Sequence, residues 1–396
     1  MIFGGRKWRQ GLFLGVLLTL FLSMLLLTGC WDYRGLGEQT VVTGIAVDLG
    51  EEGRGYSLTF EIVDLSGGEG GQFGSILLTV EGETLGEAVY DAYARLHSHV
   101  SFGVVDVVIV GRRVAKEVGL EPLVDYLIRD RDTRNSLRMV VAGTETAGEL
   151  LDPAAEEGEE ADGPGQSGGP RQPLSKVLGE ALSPQRRGEA SSATEARALY
   201  EIYHILQRGT SDLALPIVRL SEAEDIPFAL DGLALFHGGR MVGTLEEADM
   251  PVYLLATTDL RDRVFPVEVQ GERGVMAVRR SQAGVNFALG EGGLRFFLDI
   301  RVTADALQLP EGWAEVDAEM VRRLEAGAEE TLSREVLELV RPLLKEGHDV
   351  FGFAEAVRNR DPRLWEQIEG DWRAWLRESE IEPRIEVRIR DSGMRR

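Results

Sequence analysis

The residue with the clearest chemistry is Cys30, the only cysteine in 396 residues. A lone cysteine permits no disulfide within the chain and no cysteine metal cluster. The five histidines are His97, His99, His204, His237 and His348, and none belongs to a His-Glu-x-x-His zinc motif. His97-Ser98-His99 offers two metal ligands, but alternation on a strand, or a helix end running into a strand, is the commoner explanation. The glycine-rich stretches at 66–74 and 163–169 lack the Lys-Ser/Thr of a phosphate loop. Asp130-Arg131-Asp132 lacks the glycine and distal glutamate of a calcium loop. With 66 acidic residues, chance pairs of carboxylates are expected, and none is singled out. No catalytic, metal or cofactor-binding residue is assigned. The chain reads as a non-enzyme, and Cys30 is left as the position with a definite role.

The sequence around Cys30 says what that role is. Arg6, Lys7 and Arg9 precede an uncharged apolar run from Gly11 to Leu27, and small residues follow. This is the three-part plan of a secretory signal. The positive flank stays inside while the apolar run enters the bilayer. Leu27-Thr28-Gly29-Cys30 resembles the lipobox of bacterial lipoproteins. Cleavage is therefore expected between Gly29 and Cys30, with diacylglycerol taken up by the Cys30 thiol. Two or more acyl chains hold a protein stably, at about 0.8 kcal/mol per buried methylene. The competing reading is an uncleaved transmembrane helix, for which a run of 17 residues is short.

Composition excludes some partners. The formal charge is −23, and the three basic residues before Cys30 leave 40 basic against 66 acidic groups, a net −26. That balance excludes a nucleic-acid binder, which needs a basic face for phosphates. It also argues against a surface held electrostatically to anionic lipid. A hydrophobic anchor remains.

The elements that follow have the spacing of a mixed α/β (α+β) protein of three domains, each a small mixed sheet with packed helices. Residues 1–29 form the signal peptide and 30–150 an N-terminal α/β domain. There, 41–49, 56–65, 76–81, 104–110 and 137–142 read as strands. The run Val104 to Val110 is almost continuously apolar, as expected of a strand covered on both faces. Thr84 is a candidate N-cap for a helix over 84–97. Residues 151–210 are an acidic Gly/Pro-rich linker, expected to be disordered, followed by helices at 173–182 and 194–207. Residues 211–280 form a middle domain with a hairpin at His237-Gly238-Gly239-Arg240. Residues 281–396 form a C-terminal domain with a strand at 294–302, a long helix at 315–345 that Pro342 should kink or end, and a final strand at 385–390.

Four segments together resemble one family. They are Gly29-Cys30-Trp31-Asp32-Tyr33-Arg34 with VVTGIAVDLG after it, HSHVSFGVVDVVIVG with VDYLIRDRDTR, DGLALFHGGRMVGTL, and DVFGFAEAVRNRDPRLWEQIEGDW. In this order they resemble the Ger(x)C family, the C subunit of bacterial spore germinant receptors. Gly35 stands where the family pattern has an acidic residue. Phe351, Phe353, Leu364, Trp365 and Trp372 read independently as core, because aromatic residues at helical spacing usually are.

The resemblance implies a lipoprotein on the outer face of the spore inner membrane. It implies two membrane-embedded partners, an A subunit and a permease-like B subunit, and no catalytic step. Two other readings compete. One is a solute-binding lipoprotein feeding a membrane transporter; the other is a lipoprotein hydrolase acting on cortex peptidoglycan.

Overall fold

The computed structural model describes residues 39–64, 74–152, 173–182, 196–223, 227–261, 263–269, 271–309 and 317–391, together with 13, 15–21 and 23. Those N-terminal positions are helical. Among the described residues, no helix is long and apolar enough to cross a membrane.

The strands gather into two sheets, where the sequence pattern suggests three. The first sheet holds β1 (Gln39–Leu49), β2 (Tyr56–Asp64), β3 (Gly74–Gly82), β4 (His99–Ser101), β5 (Val107–Val110), β6 (Arg138–Ala142), β7 (Leu213–Leu220), β8 (Phe228–His237) and β9 (Arg240–Leu245). Their order is β3-β2-β1-β5-β6-β7-β8-β9, with β4 alongside β1. β1, β5, β6 and β7 run parallel, and antiparallel strands flank them on both sides. Residues 213–245 thus extend the first sheet. The link is the parallel pairing of Val141 and Ala142 with Ile217 and Val218.

A parallel centre must be covered on both faces, and β5 shows why its sequence is apolar throughout. Val108 and Val110 join a core with α1 (Leu85–Leu96), α2 (Glu121–Arg129) and α4 (Leu199–Arg208). Val107 and Ile109 point the other way, into a core with α3 (Leu174–Leu182) and Leu150. α1 starts where the sequence suggests. Thr84 Oγ1 accepts the Glu87 amide at 3.2 Å, and the Glu87 carboxylate accepts the Thr84 amide at 3.1 Å, closing a capping box. α4 begins later than expected, at Leu199, and the expected cap Thr194 lies outside the described residues. The hairpin turn joins β8 to β9 as read, with Gly238 and Gly239 at φ 52° and 76°. Two successive left-handed residues suit the twist of the strands they connect.

The second sheet has the order β10 (Arg263–Val269), β11 (Glu272–Gly290), β12 (Gly293–Gln308) and β13 (Glu380–Asp391). β11 and β12 form a long antiparallel ribbon, and β13 pairs parallel to β12. β11 is hard to see in the sequence. Irregular pairing at Val275/Met276 and Val278/Arg280 shifts its register. Such bulges reset the inward face and destroy simple alternation.

α6 (Ala318–Glu346), α7 (Phe353–Arg360), α8 (Pro362–Ile368) and α9 (Trp372–Glu378) follow β12. Asp317 caps α6 by accepting the Glu319 and Met320 amides, both at 2.8 Å. Pro342 does not end the helix, which runs on to Glu346. Proline in a helix costs about 3 kcal/mol. Leu339, Val340, Leu343 and Leu344 around it are all buried. At roughly 1.5–3 kcal/mol for each such side chain, burial outweighs that cost.

α6 also packs against both edges of its sheet. On β13, the amides of Val387 and Ile389 donate to Glu329 and Glu325 at 3.0 and 2.9 Å. On β10, the Glu268 amide donates to Thr331 Oγ1 at 3.2 Å. Pro383 and Pro266, at the equivalent outward positions of each edge, have no amide to offer.

α5 (Met250–Thr257) joins the two sheets. Met250, Val252, Tyr253, Leu254, Leu255 and Ala256 are all buried. They share one core with Leu233, Leu235 and Leu245 of the first sheet and with Phe265, Phe296 and Leu298 of the second. A helix apolar all round must be enclosed all round. Leu255→Ala is therefore expected to destabilise the protein by about 2–5 kcal/mol. Of the six tryptophans, the three described (Trp365, Trp372, Trp375) belong to the second unit and weight the fluorescence toward it, whereas far-ultraviolet circular dichroism senses both. The expected result in urea is a lower midpoint that coincides by both probes. Movement of the tryptophan signal alone would show that the sheets unfold separately.

Candidate functional site

Gly29 and Cys30, the expected cleavage and lipidation residues, lie outside the described residues. The histidine pair is placed. His97 ends α1 in the left-handed conformation, at φ 51°. His99 is on β4, its ring stacked on Tyr93 at 5.3 Å between centroids. Among the described residues no group of three or more His, Cys, Asp or Glu side chains gathers as a metal site.

A cluster of ionisable groups lies at the junction of the two sheets. Asp212 stands just before β7, His237 ends β8, and His348 and Asp349 follow α6. Gly347 at φ 82° turns the chain out of that helix. The Asp212 amide donates to the Asp349 carbonyl at 3.0 Å, and the Asp349 amide donates to Asp212 Oδ2 at 2.9 Å. The other Asp212 oxygen meets His237 Nδ1 at 2.7 Å. His348 Nδ1 is 3.6 Å from Asp212 and its Nε2 is 3.4 Å from Glu346. At 3.6 Å this contact lies at the long limit of a hydrogen bond. Arg208 and Glu355, 3.3 Å apart, form a second bridge between the units.

Asp349 itself is 2 % exposed. Its oxygens accept the amides of Phe353 and Ala354, each at 2.7 Å, and the Trp372 indole N–H at 3.2 Å. It therefore supplies the cap that Gly352, at the start of α7, cannot. Aromatic rings enclose it. Phe353 lies 4.5 Å from Phe296, and Trp372 lies 5.3 Å from Trp365. Phe351, Phe353, Trp365 and Trp372 are buried and Leu364 is partly so, matching the core reading of these residues.

The two carboxyls respond oppositely to this setting. Burial pushes Asp349 up to about 7, with the Asp212 charge adding to the rise and the Ala354, Phe353 and Trp372 donors opposing it. Burial also pushes Asp212 upward, but His348, His237 and the Asp349 amide together outweigh it and hold Asp212 below its ordinary value.

Two further interior carboxylates tie distant segments together. Glu61 of β2, fully buried, accepts the Leu174 and Ser175 amides at 2.7 and 2.9 Å, and the Ser175 hydroxyl. It fixes the start of α3. Asp48 of β1 accepts the Ala147 and Gly148 amides at 2.9 and 3.0 Å, and burial raises its pKa. None of these four was legible as a site. For Asp349 one cue was present, an acidic residue four positions before the first residue of α7.

The comparisons with known proteins bear on both units. Residues 32–162 match the family described as "Spore germination protein N-terminal domain". Residues 231–393 match "Spore germination B3/ GerAC like, C-terminal". The chain belongs to the Ger(x)C family of spore germination proteins. Among Ger(x)C relatives, it is 21% identical to spore germination protein KC of Bacillus subtilis, over 95% of each chain. It is also 21% identical to spore germination protein B3 of the same organism, over 95% of this chain and 97% of that one. A solved structure titled "Crystal Structure of the GerBC protein" superposes with a TM-score of 0.56 at 15% identity, covering 87% of this chain and 96% of that chain. The mixed α/β fold of this Ger(x)C chain is thus one already seen in a crystal. The Asp349 cluster and its aromatic enclosure fall inside the C-terminal family match, as does His237, while Asp212 lies before it.

The raised Asp349 carboxyl makes stability depend on pH. The folded state holds this proton more tightly than the unfolded chain, whose ordinary value is 3.8. The stabilisation is full below that value and is lost as pH rises through about 7. Asp349→Asn is expected to remove this slope, because amide cannot titrate. It should also cost about 1–3 kcal/mol, since one of the three donors loses its acceptor. Melting temperatures at about pH 5 and about pH 8 for both proteins provide the check.

Proposed function

We propose that the chain is a non-catalytic lipoprotein subunit of a spore nutrient germinant receptor. The observation that carries this reading is full-length correspondence: relatives named as spore germination proteins align over nearly the whole of both chains. In this reading Cys30 carries the lipid after cleavage at Gly29, and the chain sits on the outer face of the spore inner membrane. The N-terminal family match begins at residue 32, just past Cys30, which supports a mature chain starting there. The partners are the membrane-embedded A and B subunits, and the protein acts through contacts with them rather than through a reaction. Its acidic surface suits that arrangement. A net charge of −26 after Cys30 repels anionic lipid, so the hydrophobic anchor tethers the protein without laying it flat on the bilayer.

Dipicolinate release after mixed nutrients tests the proposal in spores carrying wild-type protein, no protein, or Cys30→Ala. Both altered strains should germinate poorly on nutrients yet respond normally to a trigger that bypasses receptors. Wild-type release from spores lacking the protein, with other relatives also deleted, would sink the reading.

A further inference from the structure

The outward face of the second sheet carries alternating charged side chains from β11, β12 and β13, and its two ends differ. At one end the charges are matched. Arg295 pairs with Glu380 at 2.6 Å, and Arg384 pairs with Glu382 at 3.1 Å while lying 3.6 Å over the Phe297 ring. Arg360 meets Asn286, which in turn meets Asp299. At the other end two neighbouring rungs of the sheet stand side by side. One is Arg280–Thr303–Arg388 and the next is Gln282–Arg301–Glu386. Residues directly opposite on adjacent strands share a face, so these six side chains project together. With Val302 they line a cleft.

Three guanidinium groups here share one carboxylate. Glu386 holds Arg388 at 2.6 Å and lies 4.0 Å from Arg301. Arg280 has no carboxylate partner among the described residues. Asp305, close by on β12, is already paired with Arg279 at 2.5 Å. The cleft therefore carries a surplus of two positive charges in a chain whose net charge is strongly negative. Each guanidinium offers five N–H donors, and one carboxylate occupies few of them. Gln282 and Thr303 add neutral donors between the arginines. Arginine forks match the geometry of tetrahedral oxyanions.

We propose that this cleft binds a dianionic oxyanion of the phosphate class, with Arg280, Arg301 and Arg388 as its charged contacts and Glu386 as the residue that orients two of them. The same chemistry comes from free phosphate or from a phosphomonoester lipid headgroup. The site does not depend on the germination reading and stands or falls separately from it. Because the arginines are exposed, binding weakens as salt rises.

The test is calorimetric titration of the full chain in neutral detergent, at low ionic strength, with inorganic phosphate and with a water-soluble short-chain phosphatidic acid. Saturable binding is expected, and Arg280→Gln with Arg388→Gln should weaken it at least about tenfold. Arg295→Gln with Arg384→Gln, at the balanced end, should leave it unchanged. All four residues are exposed, so the fold is not at risk. Comparable binding of both probes supports a free-anion site, and lipid binding at least about tenfold tighter supports a headgroup site. No saturable binding of either probe, or equal weakening by both double variants, overturns the proposal.

Discussion

A helix that is apolar on every side leaves the chain one option. Met250–Thr257 cannot sit at a surface without exposing several large side chains to water, so it must be enclosed. Neither sheet encloses it alone. The first sheet contributes Leu233, Leu235 and Leu245, and the second contributes β10, β12 and α6. The two halves of the molecule are therefore one body at their join, although their strands never pair. This sets the position of everything attached to them, including the Asp212–Asp349 contact beside it. Tyr253 of the same helix packs its ring on Phe351 at 5.7 Å, two residues from Asp349.

Interior carboxylates add polar links to these apolar cores. Glu61, Asp48 and Asp212 each accept backbone amides from a segment remote in sequence. Asp349 reaches only to α7, but its own amide returns to Asp212, 137 residues away. A buried carboxylate is costly unless such donors surround it. Once surrounded, it defines direction as well as proximity, because amides point one way along a helix. The carboxylates thus decide where α3 and α7 begin, while apolar burial supplies most of the free energy.

Much of this was legible beforehand. The apolar run Val104 to Val110 announced a central strand. Thr84 announced the start of α1, and the Gly-Gly pair announced the β8–β9 turn. What stayed hidden has physical reasons. The join between β6 and β7 spans a long insertion, and strand partners across such a distance leave no local pattern. β11 lost its alternation to bulges. Pro342 looked like a stop because the local penalty is visible in sequence and the surrounding burial is not. The interior carboxylates were concealed by numbers, since 66 acidic residues mask the four that matter. The expectation of a lipid on Cys30, by contrast, rests on sequence alone and needs no fold to be read.

The sealing of the second sheet by α6 bears on a different question, that of fidelity among siblings. Bacillus subtilis has several relatives of this chain. Proteins of one fold present nearly the same backbone, and an open strand edge grips any of them alike, since main-chain hydrogen bonds ignore side-chain identity. With Glu325, Glu329 and Thr331 occupying outward amides and prolines deleting others, this sheet offers an added strand few amides to pair with there. Recognition through this unit falls to side chains, which diverge freely while the scaffold stays fixed. A family built this way can multiply its members without their sheets merging.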